Sequence, residues 1–104
     1  MSLDISVNAV IETTVISKNI THNLNKMWRE AKIYDALYNF QDMEVKEILP
    51  ILEKGYEELV KYPDKYKKFN SPNGWGTYNQ AILWLEELIE EMRKYPNGII
   101  DISK

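Results

Sequence analysis

The spacing of apolar residues changes once along the chain, and this change limits the fold more than any other feature. Near the N-terminus Leu3, Ile5 and Val7 alternate with polar residues, the period of two that is typical of a half-buried strand. From Thr21 onwards the apolar residues recur every three or four positions instead, which is one face of a helix. A chain that begins as strand and continues as amphipathic helices predicts an α+β domain.

The predicted strands lie at the two ends of the chain. One strand contains Leu3–Val7, and a second covers Ile11–Ser17 with a turn near Asn8; a single bent strand is the alternative, because turn residues are scarce there. After residue 98, the sequence IIDI has the composition of a short closing strand. The expected fold is a small N-terminal antiparallel β-sheet, which the C-terminal strand could extend, packed on three main α-helices.

Two of these helices are predicted from apolar stripes and from the residues at their starts. Thr21 is expected to cap the first helix, because its hydroxyl can accept a hydrogen bond from an amide of the first turn. That helix is expected to bend or fray near Lys32, before a second short helical piece. Asp42 is expected to cap the next helix. Pro50 lies inside that helix's stripe, so the helix either kinks there or begins at Leu49.

The last helix has the clearest start. Thr77 and Gln80 have the spacing of a capping box, in which each side chain accepts a hydrogen bond from a backbone amide of the first turn. The helix is expected to end at Lys94–Tyr95, before a proline. Its core stripe consists of Tyr78, Ala81, Ile82, Leu85, Leu88, Ile89 and Met92. Trp28 and Trp84 are also expected in the core.

Composition indicates one globular domain, residues 1–104, with 44% hydrophobic and 28% charged residues. The chain has no cysteine, which excludes disulfides and thiolate chemistry. Its apolar runs are too short to span a membrane, and no secretory signal is visible, so a cytoplasmic location is expected. A net charge of −3 with interspersed signs argues against binding to duplex nucleic acid.

The loop at residues 70–76 is the first candidate site. It has a structural interpretation, in which Asn73–Gly74 makes a turn, Trp75 fills the core and Gly76 lets the chain enter the helix. It also has a functional one, because amides at a helix N-terminus attract anions and because Trp75 or Tyr78 could stack on a planar ligand. No P-loop or dinucleotide fingerprint is present.

The segment NITHN is the second candidate site, and it also precedes a helix. Asn19, Thr21, His22 and Asn23 all carry hydrogen-bonding side chains. His22 is the only histidine, and a general base would need an orienting carboxylate that the sequence does not identify. No catalytic residue is therefore assigned. One histidine without cysteine does not predict a metal site, and no cofactor is expected.

The run KYPDKYKKFN is a weaker candidate. Lysines interleaved with aromatic residues can bind single-stranded nucleic acid through charge and stacking. We favour the alternative, a solvated junction between helix and loop with its aromatic residues packed inward. The acidic residues of the last helix are expected to form its solvent-exposed face; they are Glu86, Glu87, Glu90 and Glu91.

NITHNLNKMWREAKIY together with NGWGTY resembles a family of small uncharacterised proteins from bacteria and their phages, over about Asn19–Pro96. The resemblance implies an origin but no activity. In that family the helix after the first motif tends to end at an Ala-Gly-Ile-Tyr element, which here has Lys32 in place of glycine. The change argues against a tight helix end. The matching positions are also the candidate ligand-binding residues: Asn19, Thr21, His22, Asn23, Asn73, Gly74, Trp75, Gly76, Thr77 and Tyr78.

Both motifs lie at helix starts, so two helices packed side by side in parallel would bring them into one pocket. Such a pocket suits a small anionic or nucleotide-like ligand. The sequence therefore predicts a non-enzymatic binding module, which in a phage could sequester a host nucleotide signal. The alternative is a structural or adaptor protein that acts through protein–protein contacts or as a homo-oligomer. A hydrolase that uses His22 is the third hypothesis.

Overall fold

In a computed structural model the chain forms a three-stranded antiparallel sheet packed with helices, which is the predicted α+β class. The structure describes residues 2–8, 14–70, 74 and 76–103, with the backbone alone for Thr14 and Val15. The strands are β1 (Ser2–Asn8), β2 (Thr14–Thr21) and β3 (Ile99–Ser103). The α-helices are α1 (Asn25–Glu30), α2 (Tyr34–Tyr38), α3 (Val45–Lys61), α4 (Pro63–Lys67) and α5 (Tyr78–Met92).

The N-terminal strand β1 is the centre of the sheet. It pairs antiparallel with β2 on one side and with β3 on the other, so the predicted closing strand does join the sheet. The alternation read from the sequence is present, because Leu3, Ile5 and Val7 are buried while Asp4 is exposed. This period of two places one face of the sheet against the helices.

The second strand has different boundaries from those predicted. The sequence indicates Ile11–Ser17, but the pairing with β1 continues to Thr21, which lies opposite Ser2. The alternative of one bent strand is wrong, since β1 and β2 form an antiparallel pair. The sequence predicts the turn near Asn8, which is the last residue of β1; residues 9–13, which follow it, lie outside the described part. Because β2 runs to Thr21, three of the five residues of the NITHN motif lie in the strand, and a 3₁₀ turn over His22–Leu24 follows directly.

The first helical segment begins as predicted. The Thr21 hydroxyl accepts a hydrogen bond from the Asn23 amide at 3.3 Å, which caps the 3₁₀ turn that leads into α1. The apolar stripe then faces the core, and all its members are buried: Leu24, Met27, Trp28 and Ala31.

The end of α1 is tight, contrary to the expectation drawn from Lys32. This residue has a φ of 65°, the left-handed conformation for which glycine is the usual choice. The Lys32 amide donates to the carbonyl of Arg29 at 3.1 Å, and the Ile33 amide donates to that of Trp28 at 3.0 Å. These two bonds are those of a Schellman motif, and the burial of Ile33 adds hydrophobic stabilisation that offsets the strain.

The start of α3 corrects another prediction. The residue before the helix is Glu44, not Asp42, and the Glu47 carboxylate accepts from the Glu44 amide at 3.2 Å. Asp42 instead has a φ of 67°, and its amide donates to the carbonyl of Ile100 at 2.8 Å. The bond to β3 holds Asp42 in the loop, so it cannot act as the cap.

Pro50 lies inside α3, which begins at Val45, so the alternative start at Leu49 is wrong. The helix ends at Lys61, and Pro63 begins the short helix α4. Val60, near the end of α3, is half exposed.

The aromatic residues of the run KYPDKYKKFN pack mainly inward. Tyr66 is buried and Phe69 is partly buried against the core, whereas Tyr62 is exposed. Lys65 makes ion pairs with the carboxylates of Glu30 and Glu58, at 3.6 and 3.4 Å. The favoured interpretation, a solvated junction with inward aromatics, is therefore confirmed for Tyr66 and Phe69.

The helix α5 has the predicted capping box. The Thr77 hydroxyl accepts from the Gln80 amide at 3.3 Å, and the Gln80 side chain accepts from the Thr77 amide at 3.0 Å. The predicted stripe is buried except for Ile82, which is partly exposed. Trp84 also packs inward, 5.9 Å from the ring of Trp28. The helix ends at Met92, slightly before the predicted end.

Candidate functional site

An open cleft lies where the end of β2, the 3₁₀ turn and the N-terminal half of α5 meet, and its volume is about 880 Å³. Strand residues and the turn form one wall: Ser2, Asn19, Ile20, Thr21, His22 and Asn23. The loop before α5 and the helix itself form the other wall: Gly76, Gln80, Leu83, Trp84 and Glu87. The NITHN motif therefore lies across the cleft from Gly76 of the second motif, although β2 rather than a parallel helix brings the first motif there.

Gly76 allows the two walls to come this close. It has a φ of 100°, which side-chain-bearing residues rarely adopt. A Cβ atom at this position would lie 2.9 Å from the Asn23 Cβ and 3.2 Å from the Thr21 Cγ2. Glycine is thus needed here both for its backbone conformation and for the contact between the α5 loop and the NITHN segment.

The cleft brings together half of the candidate ligand-binding residues: Asn19, Thr21, His22, Asn23 and Gly76. Gly74, Thr77 and Tyr78 are described but do not line it. Asn73 and Trp75 lie outside the described residues. Tyr78 is buried, and its hydroxyl donates to the Leu59 carbonyl at 2.6 Å, so its ring belongs to the core and is not placed to stack on a ligand.

The amides at the start of α5 already have acceptors. The Gln80 side-chain oxygen accepts from the amides of Gly76 and Thr77 at 2.8 and 3.0 Å. The Asn70 side-chain oxygen accepts from the Tyr78 amide at 2.6 Å. The prediction that free amides attract an anion here is therefore wrong for these groups, because the capping box and Asn70 occupy them.

The charge in the cleft is small and negative. Glu87 is the only lining residue with a formal charge in the described part of the chain, and its carboxylate pairs with Lys18 Nζ at 3.0 Å. Neither lysine nor arginine is among the described residues that line the cleft. Recognition here would consequently depend on hydrogen bonds and apolar contact more than on attraction of an anion.

His22 is anchored from behind. Its Nδ1 lies 2.9 Å from the hydroxyl oxygen of Tyr38, and the two ring centroids are 5.4 Å apart. Tyr38 in turn stacks on Tyr34 with a centroid distance of 4.5 Å, and the Arg29 guanidinium lies 4.3 Å from the centre of the Tyr34 ring. Burial raises the pKa of Tyr38 to about 12, so its hydroxyl keeps its proton at neutral pH. The contacts with Tyr38, which itself packs on Tyr34, fix the position of the His22 ring at the wall of the cleft.

An apolar surface accompanies the polar one. Leu83 is 60% exposed on α5, and it lines the cleft together with Ile20 and Trp84. The cleft can therefore contact both an apolar face and the hydrogen-bonding edge of a small molecule. A ligand that covers this leucine would gain roughly 25 cal/mol of binding free energy for each Å² of apolar surface removed from water.

Sequence reasoning missed several of the lining residues. Gln80 was assigned only a capping role, Trp84 a core role and Glu87 a place on a solvated face, while Ser2, Ile20 and Leu83 carried no assignment. Leu83 gave a usable signal, because it is an apolar residue outside the buried stripe of α5. The other missed residues come together only because of the path of β2, which places the two walls of the cleft opposite each other.

Three further findings concern metal ions, membranes and known proteins. Within residues 2–8, 14–70, 74 and 76–103, no cluster of three or more histidine, cysteine, aspartate or glutamate side chains could hold a metal ion. No helix in the described part has the length and apolar character needed to cross a membrane. Compared with protein families, characterised proteins and solved structures, the chain has no match. The family resemblance therefore stays a prediction.

Proposed function

We propose that this protein is a small-molecule binding module that holds its ligand in the cleft between β2, the 3₁₀ turn and α5. One observation carries the proposal: the polar NITHN segment and a mixed polar and apolar face of α5, which are distant in sequence, line one cleft of about 880 Å³. Ligand-binding pockets of proteins commonly have volumes of roughly 300–1,000 Å³ and combine apolar walls with a few polar groups. The cleft has both features.

The chemistry of the lining favours a nucleobase-like or nucleoside-like ligand. Asn19, Asn23 and His22 supply the kinds of groups that pair with the edge of a base, while Leu83 and Trp84 supply apolar contact. A nucleotide fits the same proposal if its phosphate points to solvent, because the lining offers no cation in its described part. An inorganic anion fits less well, since the amides at the start of α5 are already bonded.

The proposal is one of binding without turnover. Nδ1 of His22 contacts a neutral tyrosine hydroxyl, and a catalytic base would instead be oriented by a carboxylate. Sequestration of a host nucleotide signal in the cytoplasm by a phage-borne protein is one use of such a module. That biological setting rests on the family resemblance alone.

A thermal-shift screen tests the proposal, with nucleosides, mono- and cyclic nucleotides, and inorganic phosphate as probes. A ligand at 100 times its dissociation constant adds about 2.7 kcal/mol of stability, a rise of several degrees in Tm for a domain of this size. The cleft variant is Leu83→Arg, which places a long charged side chain in the cleft. The matched control is Val60→Arg, because Val60 is comparably exposed on α3 and does not line the cleft.

The proposal predicts that a nucleoside or nucleotide raises the Tm of the wild type and of Val60→Arg, but not that of Leu83→Arg. If phosphate alone raised the Tm, the ligand class would be an anion and not a nucleobase-like molecule. A shift that survives in Leu83→Arg would place binding elsewhere. The alternative function is a structural or adaptor protein that forms homo-oligomers. It would be favoured if no probe changed the Tm and if the molecular mass in solution depended on protein concentration.

A further inference from the structure

We infer that His22 is held in a single tautomer, with Nδ1 accepting from the Tyr38 hydroxyl and Nε2–H kept as a fixed donor for the cleft. If the proposed binding function holds, the ligand atom that meets His22 must then be a hydrogen-bond acceptor, such as a carbonyl oxygen or an unprotonated ring nitrogen of a base. Tyr38 is the positioning residue, because it acts on the ligand only through His22.

The geometry of the pair allows two arrangements of protons. The 2.9 Å separation between Nδ1 and the Tyr38 oxygen fits a hydrogen bond in either direction. In the first, the hydroxyl donates and Nδ1 accepts, so the proton of a neutral imidazole is on Nε2. In the second, Nδ1–H donates and the hydroxyl proton of Tyr38 needs another acceptor.

Burial of Tyr38 decides between them. The residue is only 2% exposed, and among the described residues His22 is the one hydrogen-bond partner of its hydroxyl. In the second arrangement the hydroxyl proton would be buried without an acceptor. The penalty for such a group favours the first arrangement by about tenfold or more.

The surroundings of Tyr38 keep its hydroxyl in place. Its ring stacks on Tyr34 with an angle of only 10° between the planes, and the Arg29 guanidinium lies over the Tyr34 ring. The hydroxyl cannot turn towards solvent without breaking this stack. The two ring nitrogens lie on different edges of the imidazole, so an Nδ1 that faces the buried tyrosine leaves Nε2 for the partly exposed side, which lines the cleft.

The arrangement restricts which ligands fit. A fixed N–H donor stabilises a ligand with an acceptor at that point and leaves a ligand with a donor there unsatisfied. In a nucleobase this criterion favours an edge with a carbonyl or a bare ring nitrogen towards His22. An amino group at that position would face another donor.

Long-range ¹H–¹⁵N NMR spectra of the imidazole test the inference without any ligand. At a pH at which the same spectra show His22 to be neutral, we expect a bare Nδ1 and a protonated Nε2, with the hydroxyl proton of Tyr38 correlated to Nδ1. In Tyr38→Phe, the nitrogen signals should move towards the average of two exchanging tautomers. Tyr34→Phe is the matched control, because it keeps the ring stack and the Tyr38 hydroxyl, and its spectrum should match the wild type.

A protonated Nδ1 in the wild-type protein would overturn the inference, and so would a tautomer that is unchanged in a folded Tyr38→Phe variant. Because these spectra are recorded without ligand, they are independent of the thermal-shift screen. A fixed Nε2–H with no ligand shift would refute the binding function and leave the tautomer standing. A ligand that raises the Tm, together with a protonated Nδ1, would support the binding function and refute the tautomer.

Discussion

The imidazole Nδ1 of His22 lies 2.9 Å from the hydroxyl of Tyr38, and this contact joins the wall of the cleft to the buried side of α2. Tyr38 is almost wholly buried, whereas His22 is partly exposed. The pair therefore has two roles at once: it satisfies a polar group in the core, and it sets the direction of a cleft side chain. Substitutions at this site should consequently affect stability as well as binding.

We predict that His22→Ala lowers the free energy of unfolding by about 1–3 kcal/mol, because it leaves the buried Tyr38 hydroxyl without its partner. Tyr38→Phe should cost less in the His22→Ala background than in the wild type, with a coupling of about 1 kcal/mol. Urea denaturation of the wild type, both single variants and the double variant measures this coupling energy. Strictly additive losses would show that the two side chains do not interact.

Gly76→Ala should be more destabilising than Gly74→Ala, although both residues have positive φ. At Gly74 no atom of the described residues lies within 4 Å of an added Cβ, so we expect only the backbone penalty of about 1–2 kcal/mol. At Gly76 the new atom also meets Asn23 and Thr21, which adds about 1–3 kcal/mol. Denaturation midpoints of the two variants provide the comparison, and equal losses would contradict the close approach of the cleft walls.

Local patterns in the sequence were sufficient to predict most of the fold. The alternation of Leu3, Ile5 and Val7 and the helical stripe from Leu24 both reappear as buried faces, since each depends only on the period of its own element. The start of α3 could not be predicted, because Asp42 is held in the loop by a bond to Ile100, a residue remote in sequence. A residue's local preference does not reveal such a partner.

The cleft could be predicted only in part. Hydrogen-bonding side chains drew attention to NITHN, and glycines drew attention to the loop before α5. The NITHN residues do line the cleft, whereas Gly76 alone does so among the described residues of the loop. The sequence could not show that Gln80 occupies the amides of that loop, since its role as an acceptor for Gly76 depends on the loop's path. Nor could it show that Leu83 remains exposed beside them.

Gln80→Ala should destabilise the protein by about 1–2 kcal/mol, because the amides of Gly76 and Thr77 would lose their shared acceptor. Gln80→Glu keeps an acceptor oxygen and places a negative charge at the start of α5, where the helix dipole favours it. We therefore expect Gln80→Glu to be as stable as the wild type at neutral pH. Thermal denaturation of the two variants tests this, and a loss in Gln80→Glu as large as that in Gln80→Ala would contradict the capping role.

Stability should fall as the pH rises from about 10 to about 12. Burial raises the pKa of Tyr38 from 10.0 to about 12, and burial followed by the nearby Glu58 carboxylate raises that of Tyr66 to about 12. Below pH 10 both states hold these protons, so the contribution is constant. Above it the unfolded chain loses them first, which favours unfolding by up to about 1–3 kcal/mol for each tyrosine.

Urea denaturation at a series of alkaline pH values, with tyrosinate absorbance recorded in parallel, measures this dependence. The double variant Tyr38→Phe/Tyr66→Phe lacks both hydroxyls, so its stability should decline less steeply over the same range. If the wild type and the double variant show the same slope, other groups cause the alkaline unfolding.

The most direct test of the binding function is a titration of ¹⁵N-labelled protein with adenosine, uridine and adenosine monophosphate, followed through the backbone amide signals. We expect at least one compound to give saturable shifts concentrated at residues 19–23, at Gly76 and at residues 80–87, with the signal of Val60 unchanged. If none of the three moves these signals, or if the shifts cluster around Val60 instead, the cleft is not the binding site that we propose.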